Sequence, residues 1–289
     1  MSAPASHPPR GRCTISWRHK IVSRYHRAPE HRGKLRLLRW LRQLLAVNLV
    51  RAEVAPGVVM ELNEHDFVQR EILRWGGYEL ATLQLFDRLL VNARGFLDIG
   101  GHHGQYTLRG AGALAEKGGR VFVFEPNPAN AAALLRNARL SGLGNIDLCT
   151  TALSDVAGIL RMVQSHDTNT GGSRLAAEED KRPEGITIRV AVRPVSDFIP
   201  LLPAEVFDLV KIDIEGHEAR VLNSLFASTA LRPRHIILEY APDDFDYGLP
   251  EGLPEWLQRH GYIVRDVTGR PFLPGQPLPE CNLWAELKS

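Results

Sequence analysis

The sequence predicts an α/β protein in which helices cover both faces of a mostly parallel, Rossmann-like sheet. Two observations support this prediction. Seven short segments are nearly continuous apolar runs, as expected of strands that are buried on both faces. Helical stretches separate these segments at several junctions, and that alternation is typical of parallel sheets. In chain order the segments are GFLDIG, RVFVFE, NIDLCT, FDLVKIDI, HIILEY, YIVRDV and NLWAEL.

Composition and length are those of a globular protein. The chain has 289 residues, of which 44% are hydrophobic and 24% charged, and this is enough for one large domain. No segment approaches the roughly 18 apolar residues of a membrane span, and the first residues lack the apolar core of a secretory signal. Three well-separated cysteines argue against a disulfide framework. We therefore expect a soluble, cytoplasmic protein.

Charge is distributed unevenly along the chain. Residues 1–51 contain twelve lysines and arginines and one acid, Glu30, so they carry +11 while the remainder carries −9. Residues 1–32 lack an apolar period, which predicts little order. The segment KLRLLRWLRQLLAVNLV, residues 34–50, has leucines at helical spacing with arginines between them, which predicts a basic amphipathic helix. We predict a basic arm, residues 1–50, and a domain, residues 51–289.

Several partners are compatible with this arm. Helix 34–50 could lie on an anionic membrane, bind an acidic protein, or pack on the domain or on another subunit. Nucleic acid could also bind the cations through counterion release. Few aromatic residues are interleaved with the cations, however, and the domain is acidic. The sequence therefore gives no clear indication of a nucleic-acid partner.

Short sequence patterns also predict the helices, strand and loop that lie before and between the seven segments. VVMEL reads as a strand, and HDFVQREILRW and YELATLQLFDRLL read as helices that Gly76 and Gly77 separate, because glycine interrupts helices. Near the end of the chain, GLPEGLPEWLQRHG predicts a helix, and TGRPFLPGQPLPE predicts a loop before the last strand.

The loop in FLDIGGHHGQYTL joins the first apolar segment to a helix, where ligands bind in such sheets. Gly100, Gly101 and Gly104 let the backbone approach a ligand and present N–H groups at the start of the helix. Their spacing matches neither the dinucleotide fingerprint nor the phosphate P-loop. It fits acid-x-Gly-x-x-x-Gly, with Asp98 as the acid.

An acid before the glycines suits a nucleoside ligand that carries a cation. S-adenosylmethionine has this character, because it carries an ammonium and a sulfonium and no phosphate. Glu125, at the end of the next predicted strand, can accept hydrogen bonds from ribose hydroxyls. Asp98 and Glu125 in one strand–helix–strand unit therefore predict a site for S-adenosylmethionine.

These segments, together with VFVFEPNPANAAALLRNARLSGLGNIDLCTTALSD, FDLVKIDIEGHEARVLNSL and RPRHIILEY, resemble the FkbM-type S-adenosylmethionine-dependent methyltransferases. The resemblance runs from about Val54 to Glu239. Its most specific part is the pattern K-x-D-x-E-G-x-E at Lys211–Glu218. It implies the class I methyltransferase sheet, seven strands with the last antiparallel. It also implies O-methylation, often of sugars or polyketide products.

The resemblance also implies positions for the cofactor. Glu125 would hold the ribose, with Pro126 and Asn127 shaping the adjacent turn, while Ala152 and Leu153 would flank the adenine. One position departs from the family, which usually has Ala-Asn where this chain has Gly101-His102. The imidazole of His102 can donate a hydrogen bond as an asparagine amide does. The methionine end would be lined by Asp98, Gly100, Gly101, His102, Gly104 and Thr107.

The adjacent histidines, His102 and His103, do not predict a metal site. Adjacent side chains usually point apart, and no H-x-H, H-E-x-x-H or nearby cysteine completes a ligand set. An oxygen-only cation site in EYAPDDFDYG, from Glu239, Asp243, Asp244 and Asp246, lacks a recognisable ligand spacing. We therefore expect no metal, and His103 has no evident role.

The segment KIDIEGHE carries the candidate chemistry. Lys211, Asp213 and Glu215 share a parity, so on a strand they point to one side. A structural salt bridge between Lys211 and an acid is one interpretation. The other is that Asp213, Glu215 or His217 acts as general base or substrate anchor. His217 titrates nearest to neutral pH, whereas Asp213 has the better expected position. Glu218 would cap the following helix.

We therefore predict a methyltransferase that uses S-adenosyl-L-methionine to O-methylate a sugar or another polyhydroxylated small molecule. The polar loop SHDTNTGGSRL would help to bind the acceptor through Asn169, Thr170 and Ser173. Two alternatives stay open. One is a nucleic-acid methyltransferase that uses the basic arm, and the other is a non-catalytic cofactor-binding protein attached to a membrane or a partner.

Overall fold

A computed structural model describes residues 15–163, 174–176, 187–228, 232–243, 247–249 and 251–288. The helices are α1 Trp17–His26, α2 Lys34–Leu45, α3 Phe67–Trp75, α4 Leu80–Leu90, α5 Gln105–Ala115, α6 Pro128–Leu140, α7 Glu218–Ser228 and α8 Leu253–Arg259. The strands are β1 Val50–Ala55, β2 Val58–Leu62, β3 Gly95–Ile99, β4 Arg120–Phe124, β5 Ile146–Cys149, β6 Ala152–Ser154, β7 Gly158–Val163, β8 Arg174–Ala176, β9 Ile188–Pro194, β10 Leu209–Ile212, β11 His235–Glu239, β12 Tyr262–Asp266 and β13 Asn282–Leu287.

The seven apolar segments form one sheet, with the strand order β12-β13-β11-β10-β3-β4-β5. Strand β13 runs antiparallel to both of its neighbours, and the other described pairings are parallel. The predicted α/β fold, a seven-stranded class I methyltransferase sheet, is confirmed. Every residue of β3 and of β10 is buried, as their continuous apolar sequences predict.

The order of the strands places a crevice beside β3. From β3 the chain continues to β4 and β5 on one side and later returns to β10 on the other side. Loops that follow β3 and β10 therefore leave the sheet in opposite directions, which opens a ligand crevice at the carboxyl ends of these strands.

A second, four-stranded sheet, with the order β6-β9-β7-β8, lies in the chain between β5 and β10. The sequence patterns described above did not indicate this sheet. Its apolar side chains form a small core of their own, which includes Ala152, Met162, Val190 and Val192.

The N-terminal segment is more ordered than the sequence predicts. Residues 17–26 form α1, although little order is predicted up to residue 32. Val22 of α1 and Leu38 of α2 are buried in one cluster with residues of the β1–β2 hairpin and of α5. His26 is held by Glu64, at 3.0 Å, and such tertiary contacts leave no periodic signal in sequence. The division of the chain at residue 50 stays a prediction.

The predicted helix pair after β2 is confirmed as α3 and α4. The Asp66 carboxylate accepts the backbone N–H of Gln69 at 2.8 Å and caps α3. Gly76 ends α3 with a φ of 84°, a conformation that favours glycine. None of the helices in the described ranges has the length and apolar character that crossing a membrane requires. The cytoplasmic location stays a prediction.

Candidate functional site

A cavity of about 360 Å³ opens at the carboxyl ends of β3, β4 and β10. It contains most of the site that the sequence predicts, since ten of the fourteen predicted residues line it. These ten are Gly100, Gly101, His102, Glu125, Pro126, Asn127, Ala152, Leu153, Asp213 and Glu215. These ten include residues predicted to bind the cofactor and residues predicted to act on the acceptor. Both groups therefore line the same cavity.

The loop after β3 passes too close to its neighbours for side chains at two positions. Gly100 has a φ of 96°, and a Cβ there would overlap the carbonyl oxygen of Asp213. A Cβ on Gly101 would overlap the side chain of Val123. Gly104 lies outside the cavity wall and is the residue before α5, with a φ of 97°. These three glycines, called the glycine cradle below, are therefore required by the conformation and close packing of the loop, and Gly100 and Gly101 also line the cavity.

Asp98 lies beneath this cradle rather than on the cavity wall. Its side chain is buried, and its Oδ2 accepts a hydrogen bond from the Thr107 hydroxyl at 2.5 Å. Its Oδ1 has no hydrogen-bond partner among the described residues. Burial, opposed by Lys211, raises the pKa of Asp98 to about 6. A buried carboxylate oxygen without a partner is costly, so this position fits a ligand that brings a cation.

Glu125 connects the cradle to the end of β4. Its Oε2 accepts the backbone N–H of His102 at 2.6 Å, and its Oε1 accepts that of Asn127 at 2.8 Å. Burial raises the pKa of Glu125 to about 7. Asn127 in turn caps α6 through the N–H of Ala129. The carboxylate thus fixes two loops and also faces the cavity, where a ribose can bind.

The other end of the cavity is acidic. Asp213, Glu215 and Glu239 each place one carboxylate oxygen within 4.8 Å of those of the other two. This spacing would also allow the three to hold a cation, and the expectation of no metal stays a prediction. Burial, followed by repulsion from Asp213 and Glu215, raises the pKa of Glu239 to about 10. Glu239 is therefore a neutral acid at pH 7 in the cofactor-free protein.

This raised pKa predicts how Glu239→Gln changes stability. The pKa of the group is about 4.5 in the unfolded chain and about 10 in the folded one, so the folded protein binds the proton more tightly. The contribution of Glu239 to the free energy of unfolding therefore falls as pH rises above 4.5, by up to about 1.4 kcal/mol per pH unit. Because glutamine has no such group, the variant should gain stability over the wild type between pH 5 and pH 8 in urea titrations.

Glu205→Gln provides the control, because it makes the same substitution at an exposed position outside the cavity. A stability difference between Glu239→Gln and the wild type that is constant from pH 5 to pH 8 would contradict the raised pKa.

Lys211 is the buried cation of the site. Its Nζ lies 2.5 Å from Oδ2 of Asp213 and 4.4 Å from the centre of the Tyr106 ring. Burial alone would lower the pKa of this ammonium, but Asp213, Glu79 and Asp98 together raise it above its ordinary value. The salt bridge that the sequence suggested is present, and it holds a carboxylate that also lines the cavity.

Replacing Lys211 with methionine should destabilise the protein by about 3–5 kcal/mol at pH 8, because buried carboxylates lose their counter-charge. The loss should be smaller at pH 5, where Asp98 and Glu79 can be protonated in the folded state. Denaturant unfolding at both pH values measures this difference, with Lys288→Met at an exposed position as the control. Equal losses at pH 5 and pH 8 would contradict the account.

The structure does not bring His217 to the cavity. Its side chain is half-buried outside the wall, and burial together with Arg220 lowers its pKa. The neighbouring Glu218 begins α7, and its carboxylate accepts the backbone N–H groups of Ile214 and Gly216, both at 3.0 Å. Glu218 therefore holds the loop that carries Glu215, a more specific role than the predicted interaction with the helix dipole.

His103 links the cradle to two helices. The Gln69 amide of α3 donates to its Nε2 at 3.1 Å, and the Asn137 amide of α6 donates to its carbonyl at 3.2 Å. Burial, with a smaller contribution from His102, lowers the pKa of His103 to about 3, so its ring is neutral. The role that the sequence did not reveal is therefore to anchor the loop.

Sequence reasoning missed the part of the wall that comes from the N-terminal elements. Val68, Ile72, Tyr78 and Glu79 line the cavity, and the Tyr106 hydroxyl donates to Oε2 of Glu79 at 3.3 Å. Gly76 and Gly77, just before Tyr78, predicted the break between two helices but gave no indication that the following residues line a cavity. The predicted acceptor residues Asn169, Thr170 and Ser173 lie outside the described residues, as do Asp244 and Asp246, while Asp243 is exposed.

Comparison with known proteins gives the family. The model of the methyltransferase FkbM domain matches residues 98–264. The chain belongs to the FkbM methyltransferase family. It is 30% identical over 193 residues to the 31-O-demethyl-FK506 methyltransferase FkbM of Streptomyces tacrolimicus, a match that covers 58% of this chain and 72% of that protein.

Solved structures with low sequence identity are also similar to this FkbM-family chain. One is M. jannaschii TYW2 in complex with AdoMet, with 14% identity, a TM-score of 0.41, and coverage of 83% of this chain and 85% of that one. Another is a putative rRNA-methylase from Clostridium thermocellum, with 14% identity, a TM-score of 0.45, and coverage of 72% and 96%.

As a member of the FkbM methyltransferase family, the protein is a methyltransferase whose cofactor is S-adenosylmethionine. The residues present fit this cofactor, because Asp98 has a buried carboxylate oxygen without a described partner, which suits a cationic ligand, and the cavity lined by the neighbouring Gly100 and Gly101 has room for one. Glu125 would hold the ribose, and Ala152 and Leu153 would border the adenine.

Proposed function

We propose that this FkbM-family protein methylates a hydroxyl group of a sugar or another polyhydroxylated small molecule. The observation that carries the proposal is the set of three carboxyl groups, Asp213, Glu215 and Glu239, in the wall of the cavity that Gly100 and Gly101 also line. Carboxyl groups can accept and donate hydrogen bonds to several hydroxyls at once.

S-adenosylmethionine supplies a methyl group that is activated by its sulfonium. The residues of this chain must align the attacking oxygen, and positioning of this kind can contribute about 7–11 kcal/mol. We assign the carboxylate of Asp213 as the acceptor of the hydroxyl proton, a role worth about 10²–10⁴-fold in rate. Lys211 fixes this carboxylate from the buried side through the 2.5 Å ion pair.

Glu215 and Glu239 are assigned to the binding of neighbouring hydroxyls. Burial and the neighbouring carboxylates raise the pKa of Glu239, which favours its protonated form; in that form Glu239 can donate a hydrogen bond to an acceptor oxygen, while Glu215 can accept one. A substrate with hydroxyls on adjacent carbons would satisfy both groups. This pairing favours a polyhydroxylated acceptor over one with a single hydroxyl.

Two observations favour a small molecule over a nucleic acid. The acidic end of the cavity, including Glu79, would repel the phosphates of RNA or DNA, whose binding depends on cations. The relative from Streptomyces tacrolimicus is named as a methyltransferase of 31-O-demethyl-FK506, a small molecule.

The proposal is tested with a panel of sugars and hydroxylated metabolites, each paired with the analogue that lacks one hydroxyl. We expect one or more members to gain the mass of a methyl group, and the matching deoxy analogue to remain unmodified. Methylation of both members of every pair, or of an RNA control and no small molecule, would contradict the proposed acceptor class.

A further inference from the structure

The outward side of α2 has a pattern that methyl transfer does not explain. Leu37, Trp40 and Leu44 are exposed to 40%, 54% and 63%. Their spacing, i, i+3 and i+7, places them along one side of the helix. Large apolar side chains grouped in this way on a surface indicate a binding site rather than chance exposure.

Cations lie next to this apolar row. Arg36 and Arg39 are both exposed, and the helical period places them on the adjoining side of α2. Two other cations of α2 make contacts within the protein instead. Lys34 donates to the carbonyl of His26 at 2.9 Å, and Arg42 pairs with Glu64. We define the α2 surface as Arg36, Leu37, Arg39, Trp40 and Leu44.

Helix α1, which packs beside α2, has the same character. Its exposed side chains include the apolar Trp17 and Ile21, at 61% and 42%, and the cations Arg18, Lys20 and Arg24. The basic and apolar chemistry therefore extends over two neighbouring helices of the N-terminal segment.

We propose that the α2 surface binds an anionic lipid bilayer. A bilayer can bind both the cations and the apolar row of this surface. Lipid phosphates and carboxylates attract the arginines, while tryptophan and leucine enter the boundary between headgroups and acyl chains. A nucleic acid would use the cations and leave the apolar row in water. A second copy would place arginines against arginines, since residues 1–51 contain a single acid.

The test is co-sedimentation of the full chain with phosphatidylcholine vesicles, with and without about 30 mol % phosphatidylserine. We expect binding to the anionic vesicles that weakens as salt rises. Arg36→Gln with Arg39→Gln should weaken it about fivefold per cation. Trp40→Ser with Leu44→Ser should weaken it at least about tenfold. The matched control is Leu201→Ser, because Leu201 is 67% exposed elsewhere on the protein.

Thermal unfolding and methyl transfer to a soluble acceptor should be the same for all of these variants, because the α2 surface does not line the cavity. The proposal is overturned if anionic vesicles bind no better than neutral ones, or if Trp40→Ser with Leu44→Ser binds them like the wild type. Tight binding of an RNA oligonucleotide that this variant retains would assign the surface to nucleic acid. A lipid-free dimer that the variant loses would assign it to self-association.

Discussion

The Asp213→Asn variant is expected to lose about 10²–10⁴-fold in kcat and to bind S-adenosylmethionine as the wild type does. Asparagine keeps the shape of the side chain and an oxygen that can accept from Lys211. It cannot take a proton from the acceptor hydroxyl at neutral pH. Steady-state kinetics and calorimetric titration of the cofactor measure the two quantities separately.

The matched control for this prediction is His217→Ala, which also removes a candidate base from the same loop. Because His217 does not line the cavity, we expect nearly full turnover from this variant. Normal kcat for Asp213→Asn would mean that proton removal by Asp213 is not needed. A large loss of turnover for His217→Ala would contradict the placement of the base.

The Glu125→Ala variant is expected to bind S-adenosylmethionine at least about 10²-fold more weakly, since charge-assisted hydrogen bonds contribute about 1.5–3 kcal/mol each. The change removes the group assigned to the ribose and also releases the backbone N–H groups of His102 and Asn127. Calorimetric titration measures the affinity, and near-UV circular dichroism confirms that the variant is folded.

Glu125→Gln serves as the companion variant. Its amide oxygen can accept one of the two backbone N–H groups but not both, so we expect an affinity between those of the wild type and Glu125→Ala. Unchanged affinity in both variants would overturn the position assigned to the ribose.

Much of the fold could be predicted because it depends on local chemistry. The central strands β3 and β10 are buried at every residue, so their apolar runs are continuous and visible in the sequence. The glycine loop was recognisable for a similar reason, since Gly100 and Gly101 occupy positions where a Cβ would overlap neighbouring atoms. Asp98 and Glu125 follow from their places at the ends of adjacent strands.

Lys211, Asp213 and Glu215, the residues to which the parity argument for KIDIEGHE applied, all line the cavity. Strand β10 ends at Ile212, and the chain then turns, with a φ of 56° at Glu215. Alternation no longer determines where side chains point after that turn. His217 therefore lies away from the cavity, whereas Asp213, next to the end of the strand, faces it.

Contacts between distant parts of the chain left no signal in the sequence. Glu79 reaches the cavity from the turn before α4, where its φ is 56°, and α4 itself packs against α5 and β11. Helix α1 is held by packing of Val22 and by the pairing of His26 with Glu64 rather than by an apolar period. Such arrangements depend on the folded structure.

The claim that the cradle and the acidic end of one cavity catalyse O-methylation is tested most directly by following the methyl group itself. The protein is incubated with S-adenosylmethionine labelled with ¹³C in the methyl group and with the acceptor found in the panel. The account predicts a ¹³C resonance of a methyl ether in the product, absent with the deoxy analogue and strongly reduced with Asp213→Asn. A label attached to nitrogen or carbon, or a methyl ether formed equally well by Asp213→Asn, would contradict it.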